Sequence, residues 1–316
     1  MKKQLGTFLL AICILLTGIP AVSAQEDTVT SATVADFLAF AECCTLDSWS
    51  VGKRVELTAD IDLAKEKDFD GIASFGGTFD GQGHKISGFF YTKNGSNRGL
   101  FRYVQKSGMI KNLNVSATVT PGGTQSTLGG IVGQNEGKIL QCTFAGTVTG
   151  SSNIGGIAGQ NLADGVISDC TSQGAVYGEH YAGGIVGKNL GNVISCTNKG
   201  GVNTVSREVS VDLEKLDLEH LRTTQNLADV TDVGGIAGFS AGILQSCTNE
   251  GKIGYERVGY NIGGVAGRQS GYLDSCLNKG TVLGRKDVGG IAGQIEPYTS
   301  LQYDGKNLDS INSQLN

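Results

Sequence analysis

Five cysteines carry the most regular reactive pattern in this 316-residue sequence: Cys142, Cys170, Cys196, Cys247 and Cys276. Each follows a block of small residues, Gly-Gly-[Ile/Val]-[Ala/Val]-Gly, which starts at Gly129, Gly155, Gly183, Gly234, Gly263 and, without a following cysteine, Gly289. Four cysteines lie thirteen residues after the first glycine of their block, and Cys170 lies fifteen after. Thiols can bridge, bind metal or pack as small apolar groups. A metal needs ligands that converge on a point. A shared repeat phase instead strings the sulfurs along a line, about 4.8 Å apart if the units stack as strands. The spacing predicts a structural ladder of buried free thiols, with no metal and no cofactor. Cys43 and Cys44 stand together in an expected helix and suggest no chemistry.

The other chemistry-bearing residues are sparse. His84, His180 and His220 are the three histidines. Zinc-dependent proteolysis needs His-Glu-x-x-His on a helix; Glu179-His180 and Glu219-His220 have the wrong order and lack the second His. Asp80, in Phe79-Asp80-Gly81 with His84 behind it, is the residue most suited to glycan cleavage, which needs clustered carboxylates. Acidic residues do not recur in phase, and an Asp-Gly pair is also an ordinary turn. The glycine blocks are not phosphate cradles, because none is followed by Lys-Ser/Thr. Tyr177, Tyr181, Tyr255 and Tyr260, with His180, Arg257 and Arg285, all fall between the end of one unit and the next block. Tyr and Arg are favoured at interaction sites, so these residues form the candidate binding face.

The elements that must position them follow from the repeat. The blocks are 26, 28, 51, 29 and 26 residues apart, a period of stacked units that cannot bury an apolar face singly. Each unit reads as three short strands: the glycine block, a Gly-x-[Ile/Val/Leu]-x-x-Cys segment and a Gly-x-[Val/Ile] segment. Glycine-rich corners join them. Three strands and three corners make a three-sided coil, so the fold class is all-β, a right-handed parallel β-helix of eight or nine rungs. Asn135, Asn161 and Asn189, and separately Asn198, Asn249 and Asn278, recur in phase and predict amide ladders along the axis; a polar groove is the functional alternative.

Residues 51–295 are assigned to this β-helix. Residues 25–50 form an N-terminal capping region: Val34, Phe37, Leu38 and Ala41 have helical spacing, with Thr33 as N-cap. The 51-residue interval carries an insertion at about 205–232, with Leu213, Leu216, Leu218 and Leu221 among charges, expected to form a short helix on the solenoid side. Residues 296–316 are expected to be a C-terminal cap or the start of a further helical region. Residues 1–24 read as a secretory signal: Lys2 and Lys3, an apolar run from Phe8 to Leu16, and Ala21-Val22-Ser23-Ala24. Exported, extracellular or cell-surface location follows, with no membrane insertion after signal removal. Glycine, at 49 residues, is about twice its usual share while proline is only 3, which suits many tight corners and excludes collagen. The formal charge of −5 argues against nucleic acid as partner.

The unit Leu128 to Val148, with Gly-Gly-Ile-Val-Gly, Gly137-Lys138-Ile139 and Cys142-Thr143, is similar to the GLUG repeat of bacterial surface proteins. Gly76-Gly77-Thr78-Phe79-Asp80-Gly81-Gln82-Gly83-His84 resembles the start of β-helical domains in the same proteins. The resemblance covers about residues 54–295 and implies a right-handed β-helix on an exported bacterial protein. Some members of the family are immunoglobulin A-cleaving zinc proteases whose repeats lie outside the catalytic domain, so no catalytic residue is carried over. The expected function is a non-catalytic surface module for adhesion to a host or microbial surface protein or glycan, or a rigid spacer. The alternative is a glycan-active enzyme of the β-helical lyase or hydrolase type.

Overall fold

A computed structural model of the chain describes residues 28–205 and 230–296. The expected signal peptide, the helical insertion and the C-terminal cap fall mainly on residues outside these ranges. The described residues form a parallel β-helix, with one α-helix, α1 (Val34–Cys43), at its N-terminal end.

One coil shows the plan. Ser152–Gly155 lies in sheet one, Ala158–Asn161 in sheet two, Val166–Ser168 in sheet three, and Thr171–Ser172 with Ala175–Tyr177 in sheet four. From Leu128 the coils follow this order, the last described one ending in sheet two, and every inter-coil pairing there is parallel and in register. Among the described residues the four sheets contain six, eight, nine and nine strands. Sheet two, with one strand per coil, counts eight coils.

The glycine block does not form one strand as its sequence suggests. It is creased between its second glycine and the following Ile or Val, so the first side of the triangle divides into sheets one and two. The cause is close backbone approach. A Cβ on Gly155 would lie 2.0 Å from the Ala158 carbonyl oxygen, so only glycine lets the chain fold onto itself there. A Cβ on Gly156 would lie 2.2 Å from Ser172 Oγ, on the far wall of a thin core.

Interior columns run the length of the helix. In sheet three Val55, Phe79, Ile110, Ile139, Ile167, Val193 and Leu244 stack in register, and all are fully buried. At roughly 25 cal/mol per Å² of apolar area removed from water, such columns are the main favourable term. α1 closes the open end, as the sequence pattern predicts. Its Thr33 N-cap and Asp36 form a reciprocal capping box. Phe37 and Phe40 are buried, with Phe40 against Phe75 and Phe79 at 5.9 and 5.7 Å between ring centroids. A strand not anticipated from the sequence, Thr28–Ser31, precedes α1 and pairs with Arg54–Leu57. It has no glycine block or cysteine to mark it.

Candidate functional site

The five repeat cysteines sit at the corner between sheets three and four. The residue before each, Gln141, Asp169, Ser195, Ser246 and Ser275, has a left-handed backbone with φ between 51° and 56°. That turn points the next side chain inward. Cys142, Cys170, Cys196 and Cys247 are buried, Cys276 is half-buried in the last described coil to reach sheets three and four, and none is bridged. Each of the first four thiols donates to the carbonyl two residues back, at 3.2–3.3 Å. Burial pushes the Cys170 and Cys196 thiols well above the ordinary range. Cys247 is pushed up to about 12, first by its hydrogen bond with the Cys196 sulfur. These are unreactive packing groups.

Both asparagine series are fully buried as well, except Asn278, which is half-buried. Asn135 Nδ2 donates to Asn161 Oδ1 at 2.8 Å, and Asn161 to Asn189 at 2.9 Å. Asn198 donates to Asn249, and Asn249 to Asn278, both at 2.8 Å. Their amides stack inside the coil, so they form no ligand groove.

Asp80 is built into an outer-face ion cluster. Arg54 Nη2 lies at 2.8 Å and Lys111 Nζ at 3.1 Å; Asn112 Nδ2 and the Gln82 N–H each donate at 3.0 Å. Burial pulls its pKa upward, but the donors from Asn112, Gln82 and Lys111 outweigh it and hold the carboxyl below its usual range. A general acid needs the opposite displacement. His84 stands apart, 3.2 Å from Asp60.

The aromatic and basic residues lie along the corner between sheets four and one. Register puts Ser152, His180, Thr231, Tyr260 and Lys286 in one outer column of sheet one. His180 Nδ1 is 3.0 Å from Thr231 Oγ1. Arg285 and Lys286 lie over the Tyr260 ring at 5.8 and 6.0 Å. Tyr181 has a left-handed backbone, φ 52°, a costly state for a bulky residue. Its ring meets Phe239 at 5.8 Å, and its hydroxyl oxygen accepts from Arg268 Nη2 at 3.1 Å. Arg268 also faces Asp232 at 3.2 Å and covers the Phe239 ring at 4.9 Å. Tyr177 and Tyr255 share no hydrogen bond, ring contact or ion pair with this cluster among the described residues. Tyr177 pairs with Thr149 in sheet four. Tyr255 and the exposed Arg257 occupy the loop before Tyr260. Val205 and Val230, which flank the insertion, stand at the same corner.

Sequence reasoning missed Arg268, Phe239 and Asp232. Arg268 and Phe239 share an outer column of sheet two with Lys188, Gln160 and Gln134. The signal that could have found them is the fixed offset from the glycine block, which puts the fifth residue after each block's first glycine on that column.

A groove of about 760 Å³ lies lower on sheet two, lined by Asp47, Ser74, Tyr103, Gln105, Lys106 and Glu136 among others. Tyr103 donates to Glu136. Burial first, and then the Glu136 acceptor, push the Tyr103 hydroxyl up to about 12, so it is a donor at neutral pH. Lys106 turns away to Asp164 at 2.9 Å.

The GLUG motif matches residues 124–149 and 150–177, two successive coils. A segment of 164 residues, 48% of the chain, is 31% identical to halomucin of Haloquadratum walsbyi (strain DSM 16790 / HBSQ001) and spans only 2% of that protein's length. The fold is similar to the crystal structure of a Bacteroides ovatus protein proposed to be an immunoglobulin A1 protease: TM-score 0.58, 18% identity, 93% of this chain and 88% of that one. At that identity the likeness concerns the fold. Among the described residues no helix is long and apolar enough to cross a membrane.

Proposed function

Starting from a parallel β-helix that carries the GLUG motif, we propose that the protein is a non-catalytic, exported surface module. It binds a host or microbial surface protein or glycan along the corner between sheets four and one. The observation that carries this reading is the Tyr181–Arg268–Phe239 stack, held with Tyr260 and Arg285 on a rigid ladder. Aromatic rings and guanidinia fixed by the backbone lose little entropy on binding. A β-helix without such a contact would act as a spacer, and the same experiment separates the two roles. The mature chain is applied to glycan and protein arrays, and the Tyr181→Ala/Tyr260→Ala variant is applied in parallel. Binding that the variant loses supports the face. Binding that the variant retains moves the site elsewhere, and no binding by either leaves the spacer role. Deleting residues 206–230 tests the neighbouring insertion: a folded variant with weaker binding makes the insertion part of the face.

The glycan-active alternative rests on one observation, the groove with Asp47 and Glu136 on its walls. Against it stand the Glu136–Tyr103 bond and the lowered pKa of Asp80. Incubation with acidic polysaccharides, reading new reducing ends or unsaturated products, tests it. Proteolysis, the activity proposed for the Bacteroides ovatus neighbour, has no His-Glu-x-x-His pair to support it in this sequence.

A further inference from the structure

Sheet one has six strands where its neighbours have eight or nine, and its lowest pairing is a single bridge from Arg98 to Leu128. Register therefore puts Arg98 at the foot of the column Leu128, Ile154, Ala182, Val233 and Ile262, all fully buried and apolar. Arg102 lies between Phe101 and Tyr103, which pair with Val132 and Gln134. It thus stands one rung above Ala73, in the column that continues with Gly133, Gly159, Gly187, Gly238 and Gly267. One ladder that is otherwise aliphatic begins with an arginine, and a neighbouring ladder of alanine and glycine is interrupted by another. The coil lattice asks for neither.

Their surroundings leave them short of acceptors. The Arg98 guanidinium lies over the Tyr91 ring at 5.0 Å, and Tyr91 is itself buried, donating to the Asn94 carbonyl at 3.1 Å. Arg98 Nε and Nη1 and Arg102 Nε are shielded from solvent and meet no acceptor among the described residues. Asp70, whose field reaches Arg102, is engaged by Lys93 at 2.9 Å. Burial, and then the like charge of Arg98, lower the Arg102 pKa. Folded proteins rarely leave buried charged donors without an acceptor. Two guanidinium forks present a fixed array of donors matched to planar or tetrahedral oxyanions.

We propose that Arg98, over the Tyr91 ring at the foot of sheet one, and Arg102, on the neighbouring strand of sheet two, form an oxyanion-binding notch that takes a carboxylate or sulfate group. The site lies three rungs below Tyr181 and does not depend on the binding face proposed above.

The ladder supplies its own control residues. Arg98→Leu copies Leu128 and Arg102→Gly copies Gly133, so the double variant returns both columns to their regular filling. Thermal unfolding of the full chain is measured in sodium sulfate, sodium glucuronate and sodium chloride at matched ionic strength. The wild-type midpoint rises by a few degrees, saturably, in the salt whose anion binds. The double variant keeps only the non-saturating rise that sulfate gives folded proteins generally, and its midpoint in chloride is at or above the wild-type value. A saturable rise that the double variant lacks identifies sulfate if it occurs in sulfate alone, a carboxylate if in glucuronate alone, and the shared chemistry if in both. Equal wild-type midpoints in the three salts, or an undiminished difference in the double variant, overturn the proposal. If the double variant fails to fold, equilibrium dialysis of the wild type with labelled sulfate and labelled glucuronate decides: about one anion bound per chain supports the notch, and binding of neither overturns it.

Discussion

The coils nearest α1 and the coils of the repeat occupy one lattice but fill it differently. In sheet four the inner column begins Ile61, Ile86, Val115, Phe144 and continues Ser172, Asn198, Asn249, Asn278. In sheet two it begins Phe75, Val104 and continues Asn135, Asn161, Asn189, Ser240. Low in the helix the filling is aromatic: Phe37, Phe40, Phe69, Phe75, Phe79, Phe89 and Phe101 make a chain of tilted and edge-on contacts at 5.2–6.2 Å. Higher up it is amide and thiol. An Asn amide satisfies its neighbour only where the next coil repeats it, since donor and acceptor must recur at one rung spacing. The end coil is followed outward by α1 and the single strand Thr28–Ser31 instead of another full rung. There, non-directional aromatic packing closes the core.

Removing a ring from the aromatic half should have the largest effect. Phe79→Ala, fully buried between Phe40, Phe75 and Phe101, should cost about 3–5 kcal/mol by transfer and cavity terms. Denaturant titration measures it. A cost below about 1 kcal/mol would mean that α1 and its rings can repack, and that the contrast between halves is one of composition only.

The amide ladders should be graded by position. Asn249 gives and receives a ladder bond and bridges the Gly251 N–H and carbonyl. Asn249→Ala should cost about 2–3 kcal/mol, because buried partners are left unpaired. Asn135 stands at a ladder foot above Val104, and its Oδ1 has no partner among the described residues. Asn135→Ala should cost about 1 kcal/mol. Equal costs in the same titration would show that the amides act singly, without the ladder.

The smallest effect should be a difference in acid response. Asp80 belongs to the aromatic half and its folded pKa is lowered. Its contribution is therefore complete at neutral pH and is lost as pH falls from the ordinary value of 3.8 through the lower folded value. The amide ladders hold no titrating group. Hydrogen exchange at stepwise lower pH should show protection falling first in residues 54–111. Loss beginning in the repeat coils would contradict this assignment.

Much of the architecture was legible because a repeat states its own register. The cysteine line, the asparagine stacks and the Thr33-capped helix all follow from phase or from helical spacing, without any distance being known. The creased first side was not legible. Gly155 and Gly156 mark a turn, but whether glycine serves flexibility or close approach depends on Ala158 O and Ser172 Oγ, supplied by the turn itself and the far wall. The grouping of the candidate residues was legible in part: Tyr181, His180, Tyr260 and Arg285 lie along one corner, whereas Tyr177 and Tyr255 share its phase without its contacts.

By itself the sequence determined that equivalent residues must stack, because a fixed period leaves stacked units only one in-register arrangement that buries every apolar face. Only the tertiary structure decided what each outward side chain meets. Arg268 reaches Tyr181 across 87 positions of chain, and Arg98 comes to the foot of sheet one, where no coil below supplies a strand, with the like charge of Arg102 nearby in sheet two. Such meetings depend on which residue stands one rung above or below. That neighbour is remote in the chain and outside any local pattern.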